Sequence, residues 1–324
     1  MTGLLSVRDL RVHYRLPGGL LPKRGGGPAH VEVVHGVSLD IERGQTVAVV
    51  GESGSGKTTL AMALCGLAPV AGGEVYFEGD MMQRDRRNRL IPDRRQVALM
   101  FQDPVGSLSP RMTVGQLLAE PFRIHPDGGR DPQNEALRLL SLVGLNEDFA
   151  NRFPHQLSGG QARRVGVARA VALKPGLLIA DEPTAGLDVS IQGEVLNLLA
   201  RLQEDMGLGI LLITHNLNVV RHVADRMAVM YLGRFVEQGS SEKVFDHPRH
   251  PYTAALLSAN PGTDPDSRAE RVELSGEVPS LLHRPTGCEF HTRCPRVHER
   301  CKVDFPVTMT EDCGHMFNCY FPMD

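Results

Sequence analysis

The chain has 324 residues, 41% hydrophobic and 23% charged, which is ordinary globular usage and excludes a disordered or fibrous chain. A formal net charge of −3 excludes general electrostatic attraction to nucleic acid or anionic lipid, so partners are recognised by specific surfaces. The length accommodates one large domain and a smaller one.

In chain order, the opening MTGLLSVRDLRVHY carries Arg8, Asp9 and Arg11 and lacks the apolar core of a signal peptide. No apolar run approaches the roughly 18 residues of a membrane span, so the expectation is a soluble, cytoplasmic chain. The stretch PGGLLPKRGGGPAH (17–30) reads as a glycine-rich loop. TVAVV (46–50), LLIAD (177–181), ILLIT (210–214) and MAVMYL (227–232) are continuous apolar strands alternating with helical stretches, the pattern of a parallel sheet covered on both faces. Between Gln102 and Leu157, QLLAEPF and EALRLLSLVG have helical spacing and no strand intervenes, which predicts an inserted helical subdomain over about 103–160. After Gly239 proline and glycine crowd together in HPRHPYTAALLSANPGTDPD, and a domain boundary is placed there, giving 1–238 and 239–324.

GESGSGKTT, from Gly51 to Thr59, follows a strand and precedes a helical TLAMALCGL, the context a phosphate-binding loop requires. Its glycines let N–H groups turn inward around phosphate oxygens, and the helix N-terminus adds favourable partial charge. Lys57 is placed to reach the β- and γ-phosphates and the Thr58 hydroxyl to hold Mg²⁺. LLIADEP ends a buried strand in two carboxylates, Asp181 and Glu182, which alternation points in different directions, one to a metal and one to a water. His215, closing ILLITH, stands at a strand edge where a phosphate-sensing group belongs. In LSGGQ (157–161), Ser158 is a helix N-cap, and Gly159 and Gly160 permit close approach of an anion. A chain with its own phosphate loop has no need of a second anion-binding helix end, so this one suggests service to a neighbour's nucleotide.

These residues resemble the ATP-binding cassette family over practically the whole chain. GESGSGKTT (Gly51, Glu52, Ser53, Gly54, Ser55, Gly56, Lys57, Thr58, Thr59) is similar to the Walker A loop, and LLIADEP to the Walker B strand. LSGGQ (with Ser158, Gly159, Gly160 and Gln161) is similar to the signature motif, Gln102 in FQDP to the Q-loop, and AGLD with Asp188 to the D-loop. His215 matches the switch histidine, and Tyr14 is placed like the aromatic that stacks on adenine. The resemblance implies an α/β P-loop NTPase fold with an inserted helical subdomain and two cassettes paired head to tail around ATP. It implies Glu182 as catalytic base, Gln102 and His215 in catalysis, and Asp181, Thr58 and Gln102 on Mg²⁺. AGLD, where relatives often have SALD, departs slightly from the pattern.

DEPTAGLDVSIQ, HNLNVVRHVADRMAVMYLGRFVEQG, and HPRHPYTAALLSANP followed by GEVPSLLHRPTGCEFHTRCP resemble the oligopeptide, dipeptide and nickel permease ATPases. That implies a peripheral subunit on the cytoplasmic face of the inner membrane. Its partners are then a second, non-identical ABC ATPase, two transmembrane permeases and, indirectly, an extracytoplasmic solute-binding protein, with no nucleic acid. A soluble cassette ATPase of DNA repair or translation is the alternative, but those usually carry a long coiled-coil insertion or tandem cassettes, and this chain has neither.

Five of the six cysteines fall in the last 37 residues: Cys288, Cys294, Cys301, Cys313 and Cys319. The absence of a CxxC pair weakens a zinc-ribbon reading, and four thiolates equally suit an iron–sulfur cluster; zinc and free thiols stay open. Some peptide-permease ATPases carry a [4Fe–4S] cluster in this tail, and the matching positions are Cys288, Cys294, Cys301 and Cys319. Together these make a small cysteine-rich C-terminal domain the expectation. His291, His298 and His315 lie among the cysteines, where one could replace a ligand, but read first as solvent-facing loop residues, and Cys65 reads as a small core residue.

Overall fold

The computed structural model describes residues 3–15, 30–103, 106–126, 129–259, 274 and 276–324. The glycine-rich stretch therefore lies outside the described residues except for His30, as does the end of the proline-rich segment from residue 260.

In chain order the elements are β1 (Leu5–Arg15), β2 (His30–Ile41), β3 (Thr46–Val50), α1 (Lys57–Leu64), β4 (Gly72–Phe77), β5 (Asp80–Met81) and β6 (Val97–Met100). There follow α2 (Val114–Ile124), α3 (Pro132–Leu142), α4 (Gly159–Ala170), β7 (Leu177–Asp181), α5 (Val189–Met206), β8 (Gly209–Ile213), α6 (Leu217–Val223) and β9 (Arg226–Tyr231). The chain closes with β10 (Arg234–Ser240), α7 (Ser241–Asp246), α8 (Pro251–Ser258), α9 (Glu299–Val303), β11 (Met309–Glu311) and β12 (His315–Phe317). Residue contacts divide the chain into two compact units that do not follow chain order.

The first unit comprises residues up to 4, 41–45 and 92–213. Its strands β6, β7 and β8 pair in parallel, with Val97 opposite Leu177 and Asp181 opposite Ile213. β7 and β8 are buried throughout, which is why they read as unbroken apolar runs. The helices start on strong local signals. Thr113 and Gln116 form a capping box at α2, and Asp131 caps α3 with Pro132 in its first turn. α5 buries Val195, Leu196, Leu198, Leu199 and Leu202 and stops at Gly207, whose φ of 62° lies in the left-handed region. The two helices expected between Gln102 and Leu157 are α2 and α3.

The second unit comprises residues 5–40, 46–91 and 214–324. β3 runs parallel to β9, which pairs antiparallel with β10, and β12 and β11 extend that ladder antiparallel. A separate sheet has the order β2-β1-β4-β5, in which β4 pairs antiparallel with both β1 and β5. Its strands are half-buried and alternate polar with apolar residues, so they lacked the continuous signal that marked the buried strands.

The segment from residue 239 packs within this second unit rather than as a body of its own. Glu237 in β10 explains much of that. Its carboxylate accepts from the backbone N–H groups of Arg249 and His250 at 2.7 and 2.8 Å and lies 2.8 Å from His315 Nε2. His315 is 2% exposed, so the expectation of a solvent-facing loop residue is corrected: a buried carboxylate that had to be paired drew it inward. His298 is exposed as expected, with its ring 3.9 Å from that of Phe321, and Cys65 is buried.

Candidate functional site

In the second unit, β3 delivers the chain into the loop 51–56, and α1 begins at Lys57. Gly51 has a φ of +153°, and a Cβ there would stand 2.2 Å from the Met230 carbonyl oxygen. Gly56, at +105°, would place a Cβ 2.8 Å from the Val33 carbonyl oxygen. Only glycine fits either place, so the loop's curvature is written into the sequence. Lys57 is buried, and its ammonium donates to the carbonyl oxygens of Gly51 (2.8 Å) and Glu52 (2.9 Å) and to Ser55 Oγ (3.3 Å). The loop thus wraps its own cation, and Ser53, Gly54 and Thr58 face solvent. Tyr14 is half-buried on β1. His215 is exposed directly after Thr214, whose N–H donates to the carbonyl oxygen of Val49 in β3 at 3.2 Å.

In the first unit, Asp181 ends β7 and is 5% exposed; Glu182 follows at 9%. The Glu182 N–H donates to the Ile213 carbonyl oxygen at 2.8 Å, extending the ladder, while its φ of 51° turns the chain out of the strand. A non-glycine residue in that region is strained, and such strain concentrates at functional sites. Ser158 caps α4 in a reciprocal box: its Oγ accepts from the Gln161 N–H at 3.3 Å, and the Gln161 side chain accepts from the Ser158 N–H at 3.0 Å. Gly160 is packed so closely on Ile191 that a Cβ would come within 2.8 Å. Asp188 is the exposed N-cap residue of α5, and Gln102 is exposed after β6.

One residue that sequence reasoning passed over ties these pieces together. Arg163, in the second turn of α4, is 1% exposed. Its guanidinium donates to the carbonyl oxygens of Gln102 (2.9 Å) and Ala185 (2.9 Å) and, at 3.5 Å, of Glu182. Burial lowers its pKa, opposed by Asp103 and Glu182. The sequence offers little to single it out: α4 also carries Gln161, Arg164 and Arg169, and only the structure shows Arg163 buried with Gly160, Ala162, Val165 and Val167.

Cys288, Cys294, Cys301 and Cys319 line a single small cavity of the second unit together with His250 and His291. The Cys288 N–H donates to the Cys301 carbonyl oxygen at 2.8 Å, and the Cys288 carbonyl oxygen lies 2.9 Å from His291 Nδ1. Burial pushes the Cys288 thiol up to about 12 and the Cys319 thiol to about 11, and the neighbouring cysteines add to both shifts. Cys313 is exposed and lies apart from that lining. Among the described residues no group of three or more His, Cys, Asp or Glu side chains is arranged to hold a metal ion. No helix among them is long and apolar enough to cross a membrane.

Residues 34–185 match the ABC transporter family, and residues 236–301 match the C-terminal region of oligopeptide/dipeptide transporters. The chain is 46% identical over 320 residues to the dipeptide transport ATP-binding protein DppF of Escherichia coli K12, covering 98% of this chain and 94% of that protein. It is 45% identical over 310 residues to the di/tripeptide transport ATP-binding protein DppF of Pseudomonas aeruginosa, covering 94% of each. Among solved structures it is similar to a dimeric, post-hydrolysis state of the ATP-binding cassette MJ0796 bound to ADP and Pi. That match has 28% identity and a TM-score of 0.62, and covers 73% of this chain and 98% of that one. It is also similar to CbiO1 of Clostridium perfringens, part of the ABC transporter complex CbiONQ, at 27% identity and a TM-score of 0.62, with 76% and 92% covered.

Proposed function

The chain belongs to the ATP-binding proteins of ABC transporters, in their oligopeptide/dipeptide branch, and on that premise we propose that it is the ATP-hydrolysing subunit of an importer of peptides or related small solutes. The observation that carries this reading is the loop 51–56, curved at glycines that accept no side chain and closed around the Lys57 ammonium.

In this reading, Lys57 exchanges its bonds to the loop's carbonyls for the β- and γ-phosphate oxygens while the N–H groups of residues 54–59 cradle them. Thr58, Gln102 and Asp181 offer a hydroxyl, an amide carbonyl and a carboxylate, the hard oxygen donors Mg²⁺ prefers, so these residues would hold it. The ion supplies neutralisation of phosphate charge. Glu182 takes the proton of the attacking water, His215 senses the γ-phosphate, and Tyr14 stacks on adenine. Ser158, Gly159, Gly160 and Gln161 serve the nucleotide of a partner cassette, and Asp188 lies at that dimer's D-loop. Replacing Glu182 by Gln in the assembled complex is expected to keep ATP binding, cut hydrolysis by about 10²-fold or more and accumulate a closed, ATP-bound dimer. Normal turnover would remove Glu182 from the role of base.

The partner cassette is a similar but non-identical ATPase, and the pair sits at the cytoplasmic face of the membrane under two permeases fed by a solute-binding protein. Residues 1–238 form the nucleotide-binding portion, with helical residues of about 103–160 facing the permeases, and 239–324 the peptide-permease-type portion. Co-purification with polytopic proteins from membranes supports this arrangement. A purely soluble complex would favour the repair or translation alternative, which the match over residues 236–301 disfavours.

For the tail, the reading is a [4Fe–4S] cluster on Cys288, Cys294, Cys301 and Cys319. Its support is that these four thiols share one cavity that Cys313 does not line, and that soft sulfur donors suit iron–sulfur clusters. The raised thiol pKa values mean that cationic iron would be needed to hold them as thiolates. The cluster would supply a structural or redox-sensing staple. Oxygen-free purification should give iron and sulfide with absorbance near about 400 nm; zinc, or no metal, overturns this assignment.

A further inference from the structure

Glu52, the second residue of the phosphate loop, is gripped from a distant part of the chain. Its carboxylate receives a two-pronged bond from Arg293, with Nη1 donating to Oε2 at 2.8 Å and Nη2 to Oε1 at 3.0 Å. The Glu52 N–H donates to the Tyr252 hydroxyl oxygen at 3.0 Å, and the Glu52 carbonyl oxygen accepts from Lys57 at 2.9 Å. Every polar group of this loop residue is thereby committed inside the protein.

The grip is itself rigid. The Arg293 side chain is 7% exposed and Tyr252 is fully buried. Tyr252 packs against Tyr231 and Phe290, with ring centroids at 4.7 and 5.3 Å. Phe290 and Arg293 belong to the same short segment, in which the Arg293 N–H donates to the Phe290 carbonyl oxygen at 3.0 Å, and Cys294 follows directly. A loop whose N–H groups must converge on phosphates loses freedom on binding, and a buried bidentate arginine bears that cost in advance.

The geometry points to Arg293, buttressed by Tyr252, as a positioning residue for the nucleotide loop: the region after residue 239 clamps the loop at Glu52 and thereby sets nucleotide affinity. Arg293 acts through Glu52 and touches no phosphate. This inference rests on the reading of residues 51–59 as the nucleotide site.

The experiment uses the full chain in the assembled transporter, reading kcat and KM for MgATP, with MgADP binding by calorimetry on the full-length subunit. Arg293→Gln is expected to raise KM and the MgADP Kd about tenfold with kcat changed less than about twofold. Glu52→Gln should weaken MgADP binding similarly, and the double variant should bind no worse than either single one. Should Arg293→Gln fail to fold, Arg293→Lys, which keeps the charge and loses the fork, is expected to show a shift of about threefold in the same direction. Unchanged KM and Kd, additive losses in the double variant, or a fall in kcat with KM fixed would each overturn the clamp. Lys57→Ala separates the two readings. If it abolishes binding while Arg293→Gln changes nothing, only the clamp falls; if it leaves binding intact, the loop is not the nucleotide site.

Discussion

Arg163 Nη2 donates to the Ala185 carbonyl oxygen at 2.9 Å, joining the middle of α4 to the turn between β7 and α5. Through its other terminal nitrogen the same guanidinium holds the Gln102 carbonyl oxygen. The helix that begins at Gly159 therefore has one side chain on both the exit from β6 and the exit from β7.

Arg163→Met should cost about 2–4 kcal/mol of stability, because it strips the donors from part-buried carbonyls of Gln102 and Ala185, and should lower ATP turnover by about tenfold or more. Arg163→Lys should recover only part of each, since one ammonium cannot span acceptors on opposite sides. Thermal melting and steady-state ATPase rates measure both quantities, and wild-type values in Arg163→Met would remove the tie.

Ser158 combines a cap with an expected contact to a partner's nucleotide, and two substitutions separate them. Ser158→Ala breaks the reciprocal box with Gln161 and should lower stability by about 1 kcal/mol. Ser158→Asp still caps the helix and should melt like the parent, yet lose ATPase activity because it sets a negative charge where the partner's phosphate belongs.

Two glycines of one loop should respond differently to alanine. At Gly51 a Cβ meets backbone at 2.2 Å, so Gly51→Ala should abolish measurable ATP binding. At Gly54 nothing lies within 4 Å, and Gly54→Ala carries only the strain of a φ of +79°, about 1 kcal/mol. Equal loss in calorimetric titrations of both variants would contradict this account of the loop.

His35 is pushed down to about 4 by burial first and by Arg234 next, against the pull of Glu32, whose carboxylate lies 2.7 Å away. Its folded pKa is below the ordinary 6.5, so the unfolded chain binds more protons between pH 6.5 and 4. The stability His35 contributes is complete above pH 6.5 and lost as pH falls towards 4. His35→Asn should flatten that part of the melting-temperature profile; an unchanged slope would assign it to other groups.

Cys313 has a φ of 62° and an exposed side chain. If the proposed cluster is present, Cys313→Gly should be neutral or stabilise by up to about 1 kcal/mol and leave iron per chain unchanged, while Cys301→Ser should lower both iron content and melting temperature. Loss of iron in Cys313→Gly would put Cys313 among the ligands.

The parts of the site that were legible are those whose chemistry is local. Gly51 and Gly56 need conformations no other residue tolerates, Ser158 and Gln161 need only three residues of helix to meet, and β3, β7 and β8 are buried on both faces and so announce themselves as apolar runs. The half-buried strands β1, β2 and β4 alternate too weakly to be read. His315 looked like a loop residue because nothing near it in sequence shows the buried Glu237 it meets.

The sequence by itself determined the glycine turn at 51–56, the acidic end of β7 and the capped start of α4, because each depends on residues within one turn or strand. Only the tertiary structure decided that Arg163 binds the carbonyls of Gln102 and Ala185, that four of the five late cysteines share a cavity, and that Arg293 holds Glu52 across 241 residues of chain. A buried charge must find a partner wherever the fold offers one, and that choice has no periodicity or spacing along the chain to betray it.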